Sequence, residues 1–384
     1  MRVYFDNAAT TPIHPEVKTV MKNAIDDYFG NPSSIHNEGR QVRAAIEQAR
    51  KTIAECLNAS IGEIFFTSGG TEANNMALKR SVQDLEVKRI ITSPIEHHCI
   101  LHTAEALERE QGVEVDYVNI SDKGCFDLDS LENLLKNSDK KTLVSLMHAN
   151  NEIGTVCDLN AISELCQKYN ALFHSDTVQT IGQIPIDVQN TKIDFISGAA
   201  HKFYGPKGVG FIYINADNTI KPFIDGGAQE RNMRGGTENV YGILGMAKAV
   251  QLSCENMEAN QAHLQSIKSY FIQELQDNFE GIEFNGDLEG QALPKVLSVS
   301  FPPSPKNEVL MFSLDIMGVS SSGGSACSSG AESRSHVLDA INFDEDRVAV
   351  RFSFSTSNTK EEVDFVIGKL KTIIPDTVKV LETT

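Results

Sequence analysis

The sequence predicts an α/β fold, with a mostly parallel sheet covered by helices, and a smaller α+β unit. Three observations carry this expectation. First, short apolar runs alternate with helical stretches. EIFF (63–66), RIIT (89–92), TLVSLM (142–147), ALFHSD (171–176), DFIS (194–197) and GVGFIYI (208–214) read as strands, and 98–111 and 160–169 as helices between them. Strands joined through helices make crossover units, and these build parallel sheets with both faces buried. GVGFIYI follows GPKG so closely that it is expected as an antiparallel hairpin partner. Second, residues 16–29 space Val17, Val20, Met21, Ala24, Ile25 and Tyr28 at helical intervals, and 38–57 does the same with Val42, Ile46, Ala49, Ile53 and Leu57. Third, the pattern changes after the glycine-rich stretch 226–236. A long helix is expected from Gly242 to at least Leu264, followed by the polar NGDLEGQALP and the strands VLSVSF (296–301) and VAVRFSF (348–354). A large unit over 16–255 and a smaller one from 256 to 384 fit this order. No internal repeat or low-complexity segment interrupts it.

Charge and cysteine usage narrow the function classes. The 384 residues carry 34 Lys plus Arg against 52 Asp plus Glu, a formal net charge of −18. Such a surface repels nucleic acid and anionic lipid and favours basic protein partners. No uninterrupted apolar run approaches a membrane span, and MRVYFDNAATTP lacks the regions of a signal peptide. The seven cysteines, Cys56, Cys99, Cys125, Cys157, Cys166, Cys254 and Cys327, form no CxxC pair. A disulfide framework or zinc ribbon is therefore not expected, and a reducing cytoplasm is.

Several stretches carry chemistry. SGGTE (68–72), with Gly70 and Thr71, lies between a strand and a helix. Glycines there let backbone approach a ligand, and helix N-terminal N–H groups attract phosphate. The Lys-Ser/Thr of a nucleoside-triphosphate loop is absent. In HSDTVQ (174–179), Asp176 ends a strand, where α/β sheets bind ligands. A lone aspartate there is often a helix cap. HKFYGPKG (201–208) puts His201 and Lys202 just beyond another strand. A lone lysine is usually a solvated charge. Together these residues supply a lysine to bond an aldehyde, an acid to hold a pyridinium proton and a phosphate cradle, as pyridoxal 5'-phosphate requires. EHHC (96–99), with His102 near, has metal-ligand residue types but no second ligand cluster, so a structural or cofactor-stacking role is the better reading, and a histidine over a cofactor ring is a reasonable use of one of them. Finally, SSSGGSACSSG (320–330) is too rich in Gly and Ser for a core element and carries Cys327, which an exposed loop would make a usable nucleophile.

These motifs, taken in order, resemble the cysteine desulfurases of the NifS/IscS type. The resemblance runs through YFDNAATTP (4–12), GNPSSIH (30–36), FTSGGTEANN (66–75), EHH (96–98), HANNEIG (148–154), HSDTVQ (174–179), HKFYGPKGVG (201–210), RGGTEN (234–239), GSACSSG (324–330) and VRFS (350–353). It implies the aspartate-aminotransferase fold (fold type I), with residues 1–15 joining 256–384 in the small domain and a long cysteine loop at about 320–331. It also implies that Lys202 holds pyridoxal 5'-phosphate, His97 stacks on its ring, Asp176 pairs with the pyridine nitrogen and Gln179 bonds the phenolic oxygen. Thr71 and His201, beside Gly70, would bind the phosphate. Thr237 of the partner subunit would reach it too, which implies a homodimer. Asn151 and Arg351 would hold the carboxylate of L-cysteine, and Cys327 would take its sulfur as a persulfide for an acceptor or scaffold protein in iron–sulfur assembly or thiolation. Two departures stand out. Ala199 replaces a serine common in the family, which should loosen the phosphate, and the chain ends at VKVLETT without the longer tail some members use on a scaffold. The rival readings are a selenocysteine lyase, another class V aminotransferase, and a phosphate-ligand scaffold without catalysis.

Overall fold

A computed structural model describes residues 1–306, 309–323 and 335–379. In chain order it contains β1 (Val3–Tyr4), α1 (Pro15–Asp27), α2 (Asn37–Leu57), β2 (Ile64–Thr67), α3 (Gly70–Asp84), β3 (Arg89–Thr92), α4 (His98–Gln111), β4 (Glu114–Tyr117), α5 (Leu128–Lys136), β5 (Thr142–Ser145), α6 (Leu159–Lys168), β6 (Leu172–Asp176), β7 (Phe195–Ala199) and β8 (Gly210–Ile214). There follow α7 (Gln229–Asn232), α8 (Val240–Glu255), α9 (Met257–Asn278), β9 (Glu283–Asn285), β10 (Val296–Phe301), α10 (Leu310–Ile316), β11 (Val319–Ser320), α11 (His336–Ala340), β12 (Val348–Ser353) and α12 (Lys360–Ile373).

The large sheet has seven strands in the order β2-β8-β7-β6-β5-β3-β4. The pairs from β7 through β6, β5 and β3 to β4 are parallel. Only β8 runs antiparallel, to β2 and to β7. The expected hairpin is thus present. The connection from Ala199 to Gly210 contains only a short 3-10 turn (Ala200–Lys202), too little for the crossover that a parallel pair needs.

Burial on both faces explains the near-continuous apolar strands. Consecutive residues go to opposite sides. Ile91, Val144, Phe173, Ile196 and Phe211 join α1, α2 and α8 in one core. Ile90, Leu143, Phe195 and Ile212 join α3 and α4 in another. A separate core gathers Val3 and Phe5 with α9, β10, β12 and α12, around a three-stranded sheet β12-β10-β9.

Two expectations are corrected. The long helix from Gly242 is two helices, parted at Asn256 (φ −109°, ψ 14°), whose side chain donates to the Leu252 carbonyl at 2.9 Å. The apolar face of α8 belongs to the sheet core, whereas Leu264, Ile267, Phe271 and Leu275 of α9 belong to the separate one. Continuous helical spacing hides that change of partner. Likewise, Cys56 of α2 and Cys254 of α8 form a disulfide (2.02 Å) across a sequence separation of 198. Spacing alone could not show that these helices lie side by side. Among the described residues, no helix is long and apolar enough to cross a membrane.

Candidate active site

The sheet delivers its chemistry to one edge. β2 leads into α3 at Gly70, β3 leads through residues 93–97 into α4, β6 ends on Asp176, and β7 leads to Lys202. Gly70, Thr71, His97, Asn151, Asp176, Gln179, Ala199, His201, Lys202 and Arg351 all line one cavity of about 290 Å³. Ten positions singled out from sequence therefore converge beyond the carboxyl ends of parallel strands.

Each side chain is held. Asp176 accepts from Asn74 Nδ2 at 2.6 Å and from the Val178 N–H at 3.0 Å, which fixes the carboxylate without neutralising it. His97 caps α4, its Nδ1 accepting from the Cys99 N–H at 3.2 Å. Burial above all, and then the charge of Lys202, lower its pKa against the pull of Asp176. A neutral ring fits stacking on a flat ligand. The preceding turn is tied down by Glu96, whose Oε1 accepts from Ser93 and from the Met147 N–H. Burial pushes Glu96 up to about 8, so it is a neutral structural acid at neutral pH. The adjacent His98 points elsewhere, and its ring lies 4.5 Å from that of His336 and 5.1 Å from that of His102.

Lys202 Nζ donates to the carbonyls of Ala8 (2.7 Å) and Ala9 (2.8 Å), so the amino-terminal segment closes one wall. Gln179 Nε2 donates to the same Ala8 carbonyl at 3.0 Å, while its Oε1 is buried with no hydrogen-bond partner. His201 Nδ1 lies 3.2 Å from Thr10 Oγ1. Burial, then Lys202, Lys207 and Lys295, push its pKa down to about 4. At the start of α3, a Cβ on Gly70 would meet Val178 Cγ2 at 2.7 Å, so only glycine lets the helix start this close. Ala199 faces the same point, its Cβ 3.6 Å from where a Gly70 Cβ would be.

Arg351 is 2 % exposed and already engaged. Nη1 donates to the Asn151 carbonyl at 3.0 Å and Nη2 to Asp6 at 2.9 Å, while Nε has no partner. It is thus both an ion pair and a wall of the cavity. Thr237 does not join the cavity within one chain. It lines another depression with Ser68, Gly208, Arg234 and Asn239. Cys327 lies outside the described residues. The flanks of its segment are described, and both attach beside the cavity. Ser322 and Arg351 exchange backbone hydrogen bonds, and Ser335 donates to Glu152 at 2.5 Å.

Sequence reasoning missed Asn74, Asp6 and Glu96. Asn74 stands three residues after Thr71 on α3, so helical spacing puts the two on one face. Asp6 and Glu96 lie inside motifs already quoted, yet their partners Arg351 and Met147 come from distant parts of the chain.

The comparisons agree with this geometry. The family model Aminotransferase class-V matches residues 3–366. A cysteine desulfurase IscS of Dictyoglomus turgidum is 43% identical over 97% of this chain and 96% of its own. A putative cysteine desulfurase IscS 1 of Bacillus subtilis is 43% identical over 94% and 96%. A solved NifS-like protein superposes with a TM-score of 0.90 at 38% identity, covering 98% of this chain and 100% of the other. On that match along nearly its whole length, the chain belongs to the class V aminotransferase family as a cysteine desulfurase of the NifS/IscS type.

Proposed function

We propose that this enzyme uses pyridoxal 5'-phosphate to convert L-cysteine to L-alanine, passing the sulfur through Cys327 to an acceptor protein. The observation that carries the reading is the joint presence of Lys202, Asp176 and His97 on one cavity. The residues fit the cofactor: Gln179 Oε1 is a buried orphan acceptor suited to a phenolic hydroxyl, and Gly70 keeps the start of α3 open to a phosphate. When bound, the cofactor supplies a covalent hold on the substrate amine and an electron sink.

The chain supplies the rest. Lys202 holds the cofactor and moves the proton from the substrate α-carbon. Asp176, fixed by Asn74, keeps a proton on the ring nitrogen. His97 covers one ring face. Thr71, the N–H groups of α3 and neutral His201 hold the phosphate, with Thr237 of the partner subunit completing it in a homodimer. Arg351 and Asn151 orient the carboxylate. The Cys327 sulfur bonds to the substrate sulfur as the substrate carbon–sulfur bond breaks; that carbon takes a proton and leaves as alanine. The acceptor belongs to iron–sulfur assembly or to a thiolation pathway. The test is direct: purified protein given cysteine and a thiol reductant should release alanine and sulfide in equal amounts. Absence of alanine from cofactor-loaded protein sinks the reading.

Two predictions arise here. Arg351→Ala should raise the KM for cysteine at least about tenfold, because a guanidinium clasps a carboxylate through charge-assisted bonds. It should also lower the melting temperature by stripping Asp6 of its cationic partner and leaving only its bond from Ser322. A folded variant with unchanged KM would leave Arg351 as an ion pair only. Ala199→Ser restores a hydroxyl where Ala199 faces Gly70. A hydrogen bond to a charged group contributes about 1.5–3 kcal/mol, but water replaces much of it, so cofactor loss during dialysis against a competing amine should slow by roughly two- to fivefold. Unchanged or faster loss would mean that position 199 does not meet the phosphate.

A further inference from the structure

Cys99 sits where three parts of the candidate site meet. It is the second residue of α4, just after the cap His97, and it lines the cavity. Its Sγ lies 3.0 Å from His97 Nδ1. Asn74 Nδ2 donates to the same sulfur from α3 at 3.1 Å, and the Thr71 side chain is a further hydrogen-bonding neighbour. On the proposed reading these partners serve different ends of the cofactor. His97 covers a ring face, Asn74 holds Asp176 for the ring nitrogen, and Thr71 holds the phosphate.

The directions of the bonds follow from the groups. The Asp176 carboxylate accepts, so the Asn74 amide turns its nitrogen toward it, at 2.6 Å. The second N–H of that nitrogen then goes to Cys99, while Asn74 Oδ1 stays buried with no partner among the described residues. His97 Nδ1 accepts the Cys99 N–H at 3.2 Å, so its lone pair faces Cys99 and the neutral ring carries its proton on Nε2. Burial keeps the thiol protonated, and a protonated thiol has one S–H to give. It gives it to His97 Nδ1, the acceptor 3.0 Å away. A chain of hydrogen bonds therefore runs from Asp176 through Asn74 and Cys99 to His97. Cys157 and Cys166 make the contrast, for both are buried among the apolar side chains of the sheet core.

We propose that Cys99 is a positioning residue for the cofactor, its thiol fixing the His97 ring and the Asn74 amide as one unit. The inference rests on the reading of His97 and Asp176 as cofactor contacts. It gives this cysteine a task that needs an uncharged thiol, unlike sulfur transfer, which needs a thiolate. Without the S–H, the edge of the His97 ring facing Cys99 keeps only the backbone N–H, and Asn74 loses the acceptor for one of its two N–H groups.

The experiment compares the full-length protein with Cys99→Ala and Cys99→Ser, each loaded with pyridoxal 5'-phosphate. Two quantities are read: cofactor loss during dialysis against a competing amine, and the visible circular dichroism of the bound cofactor, which reports how firmly its ring is held. Cys99→Ala should shed cofactor about three- to tenfold faster, as the loss of one hydrogen bond implies, and its visible signal should weaken. Cys99→Ser keeps a donor and an acceptor, so it should stay within about twofold of the parent on both. Cys99→Val fills the space with neither and should behave like Cys99→Ala, which it replaces if the alanine variant is insoluble. Far-ultraviolet circular dichroism and melting temperature show that the variants are folded. Parent-like values for Cys99→Ala overturn the proposal, and so does equal loss in the serine and alanine variants, which would leave packing as the only role. A parent protein that takes up no pyridoxal 5'-phosphate would instead sink the cofactor reading of His97 and Asp176.

Discussion

Lys202→Ala is expected to abolish alanine release from cysteine and to remove the visible absorption band of the purified protein. Lys202 reaches the cavity from the 3-10 turn after β7, and its amine is aimed by the Ala8 and Ala9 carbonyls. Among the described residues that line the cavity there is no second lysine to replace it. Lys207 is exposed and absent from the cavity wall, and Lys295 is buried and likewise does not line it. On the proposed mechanism the substitution removes both the covalent anchor and the base that moves the α-proton. A positioned base alone contributes about 10²–10⁴-fold, so the residual rate should fall below roughly a ten-thousandth of the parent's. Lys202→Arg tests the same point with charge retained and should be equally inactive, because a guanidinium neither bonds an aldehyde usefully nor gives up its proton. A Lys202→Ala protein that keeps its colour and still yields alanine would falsify the assignment.

The sequence made Lys202 and Asp176 legible because each follows a short apolar run, and the ends of such runs are where parallel sheets place ligands. Gly70 and Thr71 were legible for the same reason. Cβ alternation explains why Ile90 and Ile91 could be read as strand residues and yet belong to different cores. What stayed hidden depends on tertiary neighbours. Asn256 divides an unbroken helical pattern because the two halves pack on different cores. Arg351 was read as a carboxylate clasp, but its second role with Asp6 needed a partner from 345 residues away. Glu96 stands beside two histidines in EHHC, and only the arrival of the Met147 N–H shows it to be a buried brace.

Cys327→Ser should retain the cofactor, bind cysteine and fail to form a persulfide. The structure strengthens this expectation through the other six cysteines. Cys56 and Cys254 are bonded to each other. Cys99 lines the cavity, but burial, then Asp176, push its thiol up to about 12, so it is not ionised at neutral pH. Cys157 and Cys166 are buried, and burial raises both well out of reach. Cys125 is raised by burial too and sits 3.7 Å from Asp287, away from the cavity wall. Sulfur transfer requires a thiolate, so none of these six competes with a cysteine in a Gly/Ser-rich segment anchored beside Arg351 and Glu152. Serine keeps the size and loses the nucleophile, because a hydroxyl is ionised far less than a thiol at pH 7. After incubation with cysteine and alkylation, mass spectrometry of the parent should find one additional sulfur on the peptide carrying Cys327. The variant should show none there, and its cysteine-induced spectral change should persist. Finding the extra sulfur on Cys99 or Cys125 in the parent, or normal sulfide release by Cys327→Ser in the absence of added thiol, would move the nucleophile elsewhere.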